Sequence, residues 1–144
     1  MLQDLEVSQS IDINAGNTKV WDALTNPNII KEYLFGTETI TNWKVGSSII
    51  FQGTYNGRTY KDKGIILTFE PEQHLSYSYW SAFTGLEDKP ENYSTITYTL
   101  NGDSTHSIFT WTQRGYASQE RYQQSKEGMA ALLASIKQVI ETHS

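Results

Sequence analysis

Cysteine is absent from the 144-residue sequence, which excludes a disulfide framework, thiol catalysis and cysteine-ligated metal or iron–sulfur sites. A cysteine-free chain fits a reducing compartment, and we expect a cytoplasmic location. Long apolar runs are also missing, since none approaches the roughly 18 residues that a membrane-spanning helix needs. The first residues, MLQDLEVSQSID, lack the basic and apolar regions of a signal peptide. We therefore expect no export signal and no membrane association.

Positive charge is scarce, because 11 Lys and Arg face 16 Asp and Glu, for a net charge of −5. An acidic chain without a basic run is poorly suited to the phosphate backbone, so we expect no nucleic-acid partner. Charged residues make up only 19% and hydrophobic residues 38%, a balance that excludes a disordered chain. The length fits one domain, and we predict a single domain over 1–144.

Motifs that carry chemistry are equally sparse. The sequence has no G-x-S-x-G nucleophile motif and no glycine-rich phosphate loop. The histidines, His74, His106 and His143, have no metal-ligand spacing, and we interpret them as surface residues. We therefore expect no metal and no cofactor, and we assign no catalytic residue. A binding protein is favoured over an enzyme.

Aromatic residues, by contrast, are abundant: 4 Trp, 9 Tyr and 5 Phe form 12% of the chain. Many of them lie in segments that alternate between apolar and polar residues, which predicts about six to seven strands with one buried face. The first strand covers 5–13, and Asn56-Gly57 predicts a hairpin turn. Asn17 or Thr18 is the expected cap of a short helix over 18–25, which is followed by a second over 28–34. A polar loop over 82–92 and a long helix over 118–141 complete the order.

This order predicts an α+β protein. Strands joined by tight turns form an antiparallel sheet, and one-sided alternation buries only one of its faces. The apolar stripe of the last helix is the expected cover for that face. A twisted sheet curved around one helix encloses space, which large rings can line. The alternation places these rings on the inner face: Tyr77, Tyr79, Tyr98, Phe109 and Trp111.

Several local phrases resemble the START/Bet v 1-like (SRPBCC) superfamily with its helix-grip fold, and within it the family related to the C-terminal domain of the activator of Hsp90 ATPase. The phrases are VWDALTNP at 20–27, WKVGS at 43–47, GIILTFEP at 64–71 with LSY at 75–77, and GMAALL at 128–133. The last phrase departs from the family pattern, since Met129 stands where members often have Trp. We also expect the domain to stand alone, without the Hsp90-binding N-terminal half.

The resemblance and the inner rings together predict a cavity for a small hydrophobic or aromatic molecule, in a monomer or a homodimer. Three tyrosines among the rings favour a cavity with polar points, because buried hydroxyls need partners. Tyr33 and Phe35 are expected near the entrance. The other predicted lining residues are Ile49, Phe51, Tyr77, Tyr79, Ile96, Tyr98, Phe109, Trp111, Met129 and Leu133.

Two other functions stay open. One is a stress-related or Hsp90-type co-chaperone module, which the resemblance implies and which would act through a chaperone contact. The other is a cyclase- or hydrolase-like enzyme, which needs an acid–base group in the cavity. Asp62 is the candidate, since alternation puts it on the face opposite Lys61 and Lys63. We favour a bulge near Gly64 that turns Asp62 towards solvent, and Arg58 and Arg114 are interpreted as solvated strand ends.

Overall fold

A computed structural model describes residues 2–143, apart from the side chain of Tyr55. Met1 and Ser144, which belong to the predicted domain 1–144, lie outside the described residues. The elements in chain order are β1 (Gln3–Ile13), α1 (Asn17–Thr25), α2 (Pro27–Tyr33), β2 (Glu38–Ile40), β3 (Ser48–Tyr55), β4 (Arg58–Glu70), β5 (His74–Tyr79), β6 (Ser94–Gly102), β7 (Ser107–Tyr116) and α3 (Gln119–Thr142).

The seven strands form one antiparallel sheet in the order β1-β7-β6-β5-β4-β3-β2. Strands β2 to β7 each pair with their neighbours in sequence, and all but one of their connections are too short for the crossover that parallel pairing needs. Strand β1 lies at the far edge beside β7. Helix α3 crosses the inner face and packs against β1, β7 and α2. This architecture confirms the predicted α+β helix-grip fold.

Alternation along the strands determines which side chains reach the core. In β6, Ile96, Tyr98 and Leu100 are buried, whereas the threonines between them are not. Helix α3 supplies the cover through the side chains on one stripe. These are Met129, Leu133, Ile136 and Ile140, all buried. The predicted inward orientation of Tyr77, Tyr98, Phe109 and Trp111 is confirmed, and Tyr79 is half-buried on the same face.

Local signals set the ends of several elements. Asn56 and Gly57 have φ values of 52° and 76°, the left-handed pair that a two-residue hairpin turn requires. The predicted hairpin between β3 and β4 is confirmed.

Polar side chains cap two of the helices. Asn26 caps α2 by accepting a hydrogen bond from the amide of Asn28, and Pro27 is the first helical residue. The hydroxyl of Ser118 accepts from the amide of Arg121 and begins α3.

The predicted cap of α1 is wrong. The residue before the helix is Gly16, and Asn17 is its first residue. A Cβ at position 16 would lie 2.2 Å from the carbonyl oxygen of Ser104, so the β6–β7 turn requires glycine there. Instead of capping the helix, the side chain of Asn17 forms hydrogen bonds at the β6–β7 turn. It donates to the carbonyl of Gly102 and accepts from the hydroxyl of Ser107.

Two segments differ in detail from the sequence prediction. Strand β2 was not predicted. It has three residues, of which only Thr39 is buried, and so short a segment shows no recognisable alternation of apolar and polar residues. The loop over 82–92 contains two single 3₁₀ turns, Ala82–Thr84 and Pro90–Asn92. Asp88 in this loop forms an exposed ion pair with Lys63 of β4.

Candidate functional site

One half of the concave face is filled with side chains. Phe109 is fully buried, and its ring meets that of Tyr98 edge-on at a centroid distance of 5.5 Å. The hydroxyls of Tyr98 and Tyr77 share a hydrogen bond of 2.8 Å. Tyr33 on α2 is buried and donates its hydroxyl hydrogen to the carbonyl of Ala23 at 3.0 Å. These tyrosine hydroxyls therefore find partners within the protein.

The other half of the face is open. A cavity of about 270 Å³, the inner cavity, lies between the end of α2, the middle of the sheet and α3. Its lining residues are Leu34, Phe35, Thr37, Phe51, Tyr60, Asp62, Tyr77, Tyr79, Ile96, Trp111, Gln113 and Leu132. Phe35 is 88% exposed, so its ring stands at the rim where the cavity opens. The walls are mostly aromatic and apolar, as in small-molecule sites generally.

Asp62 is the charged residue of this wall, and the expectation that it faces solvent is wrong. The pairing of β3 with β4 is unbroken at this point, and Asp62 lies opposite Phe51 on the inner face. The sheet irregularity falls later, between Ile66 and Thr68, and therefore does not turn Asp62 outward. Its side chain is 9% exposed.

The two carboxylate oxygens of Asp62 have different surroundings. Oδ2 accepts a hydrogen bond of 2.6 Å from the hydroxyl of Tyr79. Oδ1 is buried and has no hydrogen-bond partner among the described residues. A buried acceptor without a partner costs free energy, so the position calls for an explanation. Trp111 presents a similar case, because its indole Nε1 is buried and has no described acceptor.

A second cavity adjoins the first at Asp62. This end cavity, of about 310 Å³, lies near the beginning of α3 and shares Asp62, Tyr79 and Gln113 with the inner cavity. Asn92 and Trp80 also line it, and Asn92 Oδ1 and Trp80 Nε1 have no described hydrogen-bond partner. Asp62 thus stands where two cavities meet.

Burial dominates the electrostatics of the tyrosines around the cavity. The pKa of Tyr79 is raised well above its ordinary value, first by burial and then by the charge of Asp62 and the hydrogen bond to it. Burial also raises the pKa values of Tyr33, Tyr77 and Tyr98. Tyr79 therefore stays protonated and acts as the donor in its hydrogen bond with Asp62.

We predict that these four tyrosines, together with Tyr93 and Tyr116, whose pKa values burial also raises, ionise later than the other tyrosines in an alkaline titration. An acid whose pKa is higher in the folded than in the unfolded chain stabilises the fold below its unfolded pKa of about 10, and this contribution is lost as the pH rises above that value. Tyrosinate absorbance of the folded protein should fall short of the nine-tyrosine total that the urea-unfolded chain reaches. Tyrosinate absorbance of the folded protein equal to that of the urea-unfolded chain at the same pH would contradict the burial of these rings.

Half of the predicted lining residues meet at the inner cavity: Phe35, Phe51, Tyr77, Tyr79, Ile96 and Trp111. The others belong to the filled core and do not line it: Tyr33, Ile49, Tyr98, Phe109, Met129 and Leu133. The prediction missed Leu34, Thr37, Tyr60, Gln113 and Leu132 as lining residues. Tyr60 could have been found, since it lies two residues before Asp62 and shares its face.

The rest of the described chain was searched for metal sites, membrane-spanning helices and further grooves. Within residues 2–143, no group of three or more His, Asp or Glu side chains could hold a metal ion. None of the helices described has the length and apolar character needed to cross a membrane. On the outer face of the sheet, Lys63, Trp80 and Tyr93 line an open groove of about 850 Å³, which the sequence did not indicate.

The fold defines a helix-grip protein of the START/Bet v 1-like (SRPBCC) class, in which a curved sheet wraps a C-terminal helix. The family model for activator of Hsp90 ATPase homolog 1-like protein matches residues 14–141. The chain therefore belongs to this family, and the resemblance inferred from the sequence is confirmed. No curated protein matches the sequence.

Solved structures agree with this assignment. The solution structure of ChR145 from Cytophaga hutchinsonii is 38% identical, with 98% of this chain and 96% of that one covered and a TM-score of 0.82. The crystal structure of MLL2253 from Mesorhizobium loti is 23% identical, with coverage of 97% and 99% and a TM-score of 0.78. The Aha1 dimer from Colwellia psychrerythraea is 17% identical, with coverage of 96% and 97% and a TM-score of 0.72. The last two show the fold alone.

Proposed function

We propose that the protein binds a small apolar or aromatic molecule in the inner cavity between the sheet and α3. The observation that carries the proposal is a ring-lined cavity of about 270 Å³ between the sheet and α3, with the side chains of Asp62 and Trp111 among its lining residues. A filled core would leave no such space. Apolar walls supply affinity and a few polar groups orient the ligand.

The size of the inner cavity limits the ligand. Sites for drug-sized molecules measure about 300–1,000 Å³, and the inner cavity, at about 270 Å³, lies just below that range. One or two fused rings suit it better than a long chain or a polycyclic molecule. The end cavity beyond Asp62 would accommodate an extension from such a ring.

Filling the inner cavity should weaken binding strongly without unfolding the protein. Leu132 on α3 lines the cavity, and Leu132→Trp places an indole in the ligand space. We expect the affinity for a bicyclic probe, indole, to fall about tenfold or more, as measured by amide NMR shifts during titration. Native mass spectrometry of the wild-type protein would show whether a molecule co-purifies.

Ala131→Trp is the matched control, because it adds the same ring on an exposed position of the same helix. It should leave probe affinity unchanged. Equal affinity in the wild type and in both variants would place the probe outside the inner cavity, and absence of binding by indole and related bicyclic rings would remove the proposal.

Family membership favours a second candidate, an Hsp90 co-chaperone-like module that acts through its surface. One solved structure of the fold is described as an Aha1 dimer. The outer groove with Lys63, Trp80 and Tyr93 offers a surface for such a contact. The candidate is tested by adding the protein to Hsp90, since stimulation of the ATPase supports it and an unchanged rate removes it.

An enzyme that uses the same cavity is the third candidate. The hydrogen-bonded pair of Asp62 and Tyr79 is the observation that supports it, because a buried carboxylate beside a reacting group can accept or return a proton. Binding precedes any such reaction, so the ligand experiments come first.

A further inference from the structure

The end cavity has the features of a second binding site. It lies between the ends of β5 and β7, the start of β6 and the first turns of α3. Four aromatic rings stand in its wall, those of Tyr79, Trp80, Phe83 and Tyr116. Its volume of about 310 Å³ is at the lower end of the range for small-molecule sites, so it suits a molecule with a single ring.

Most polar groups of this wall already have partners within the protein or are out of reach. The hydroxyls that form hydrogen bonds within the described chain are those of Tyr79, Ser81, Thr84, Ser94, Tyr116 and Ser125. The side-chain amide of Asn92 donates to the carbonyl of Glu87. Asn92 Oδ1 and Trp80 Nε1 are buried, with almost no accessible surface. Recognition of a ligand therefore depends mainly on the groups that remain.

The side chains that remain offer accessible N–H donors, and one of them is charged. Gln113 and Gln124 form no side-chain hydrogen bond among the described residues. Arg121 donates one hydrogen bond, to the carbonyl of Phe83, and forms no ion pair in the described part of the chain. Gln113 is half-buried, and Gln124 and Arg121 are exposed, so a molecule in the end cavity can reach all three.

Asp62 is the carboxylate of this wall, and it determines which way an anionic ligand can lie. It lines both cavities, so it stands at the inner end of the end cavity. Its Oδ2 accepts from Tyr79, and its Oδ1 has almost no accessible surface. A ligand carboxylate would be repelled at this end and attracted by Arg121 at the exposed end. The apolar part of such a ligand therefore faces inward.

We infer that the end cavity binds a small carboxylic acid, whose carboxylate accepts hydrogen bonds from Arg121 while its ring lies against the aromatic wall. Arginine suits this role because its guanidinium presents several N–H donors in a planar fork, and the one bond to Phe83 leaves the others free. The site does not rest on the proposed function, since neither Arg121 nor Gln124 lines the inner cavity.

Benzoate and benzamide test this site on the wild-type protein. The two molecules have nearly the same shape, but only benzoate is charged at neutral pH. Because hydrogen bonds between charged groups are the strong ones, benzoate should bind about fivefold or more tightly, measured by amide NMR shifts during titration. The largest shifts should fall on Gly115 and Arg121, which line the end cavity, and not on Phe51, which lines only the inner cavity. Absence of benzoate binding, equal affinities for the two molecules, or shifts centred on Phe51 would overturn the inference.

Arg121→Gln adds a test of the residue itself. It removes the charge at the exposed end and should lower the affinity for benzoate about fivefold or more, to that of benzamide. Lys126→Gln is the matched control, because it removes the same charge from an exposed position of α3 that does not line the cavity, and it should leave the affinity unchanged. Full benzoate affinity in a folded Arg121→Gln variant, or an equal loss in both variants, would overturn the inference. If Arg121→Gln does not fold, the comparison of benzoate with benzamide on the wild type decides the matter.

Discussion

Phe109→Ala should lower the free energy of unfolding by about 3–5 kcal/mol, the usual cost of truncating a fully buried ring in a packed core. Phe109 is 0% exposed and lies in the filled half of the concave face, where its ring packs edge-on against Tyr98. Neighbouring side chains cannot collapse into the space because the sheet and α3 hold them on both sides. Urea denaturation at equilibrium measures the loss.

Phe51→Ala provides the comparison within the same core. Phe51 is 8% exposed, and its ring forms part of the wall of the inner cavity. Truncation there enlarges a space that already exists and removes fewer contacts, so we expect a loss smaller by at least about 1 kcal/mol. Equal losses for the two variants would mean that the inner cavity is filled in solution.

The fold was largely predictable because its elements carry long and regular patterns. In β7, for example, Phe109 and Trp111 alternate with residues that are not buried, and this period is sufficient to assign a strand with one buried face. In α3, Met129, Leu133 and Ile136 recur at helical spacing. Strand β2 has three residues, of which only Thr39 is buried, and no period can be recognised in so short a segment.

The inner cavity was predictable only in part, because alternation assigns a face and not a position on that face. Tyr77 and Tyr98 have neighbouring rings on the inner face, yet only Tyr77 lines the cavity. Which of them does so depends on where α2 and α3 cover the sheet. That arrangement results from contacts between residues far apart in sequence, and no local pattern encodes it.

Asp62 shows how a pattern can be right and its interpretation wrong. Alternation placed Asp62 on the inner face, opposite Lys61 and Lys63, and the structure places it there. The hypothesis of an outward turn required a bulge near Gly64, and the pairing of β3 with β4 is unbroken there. The hydrogen bond from Tyr79 and the adjoining cavities make this position tolerable, and both depend on tertiary structure.

Gly64, two residues further along β4, is the site of the other large expected effect. Its neighbour Lys63 exchanges two backbone hydrogen bonds with Trp80, of 3.0 and 2.8 Å, and the amide of Ile65 donates to the hydroxyl of Ser78. These bonds hold β4 close to the end of β5 and to Trp80, which follows it. A Cβ on Gly64 would lie 1.6 Å from the carbonyl oxygen of Ser78, a distance that no side-chain movement relieves.

Gly64→Ala should therefore destabilise the protein by about 3 kcal/mol or more, since the backbone itself has to shift. Gly128→Ala is the matched control: position 128 is exposed in the interior of α3, and an added Cβ would meet nothing within 4 Å. Because alanine is the better helix former, that variant should gain about 0.5–1 kcal/mol. Urea denaturation of both variants should give changes of opposite sign. A Gly64→Ala protein as stable as the wild type would show that β4 and the end of β5 do not approach this closely.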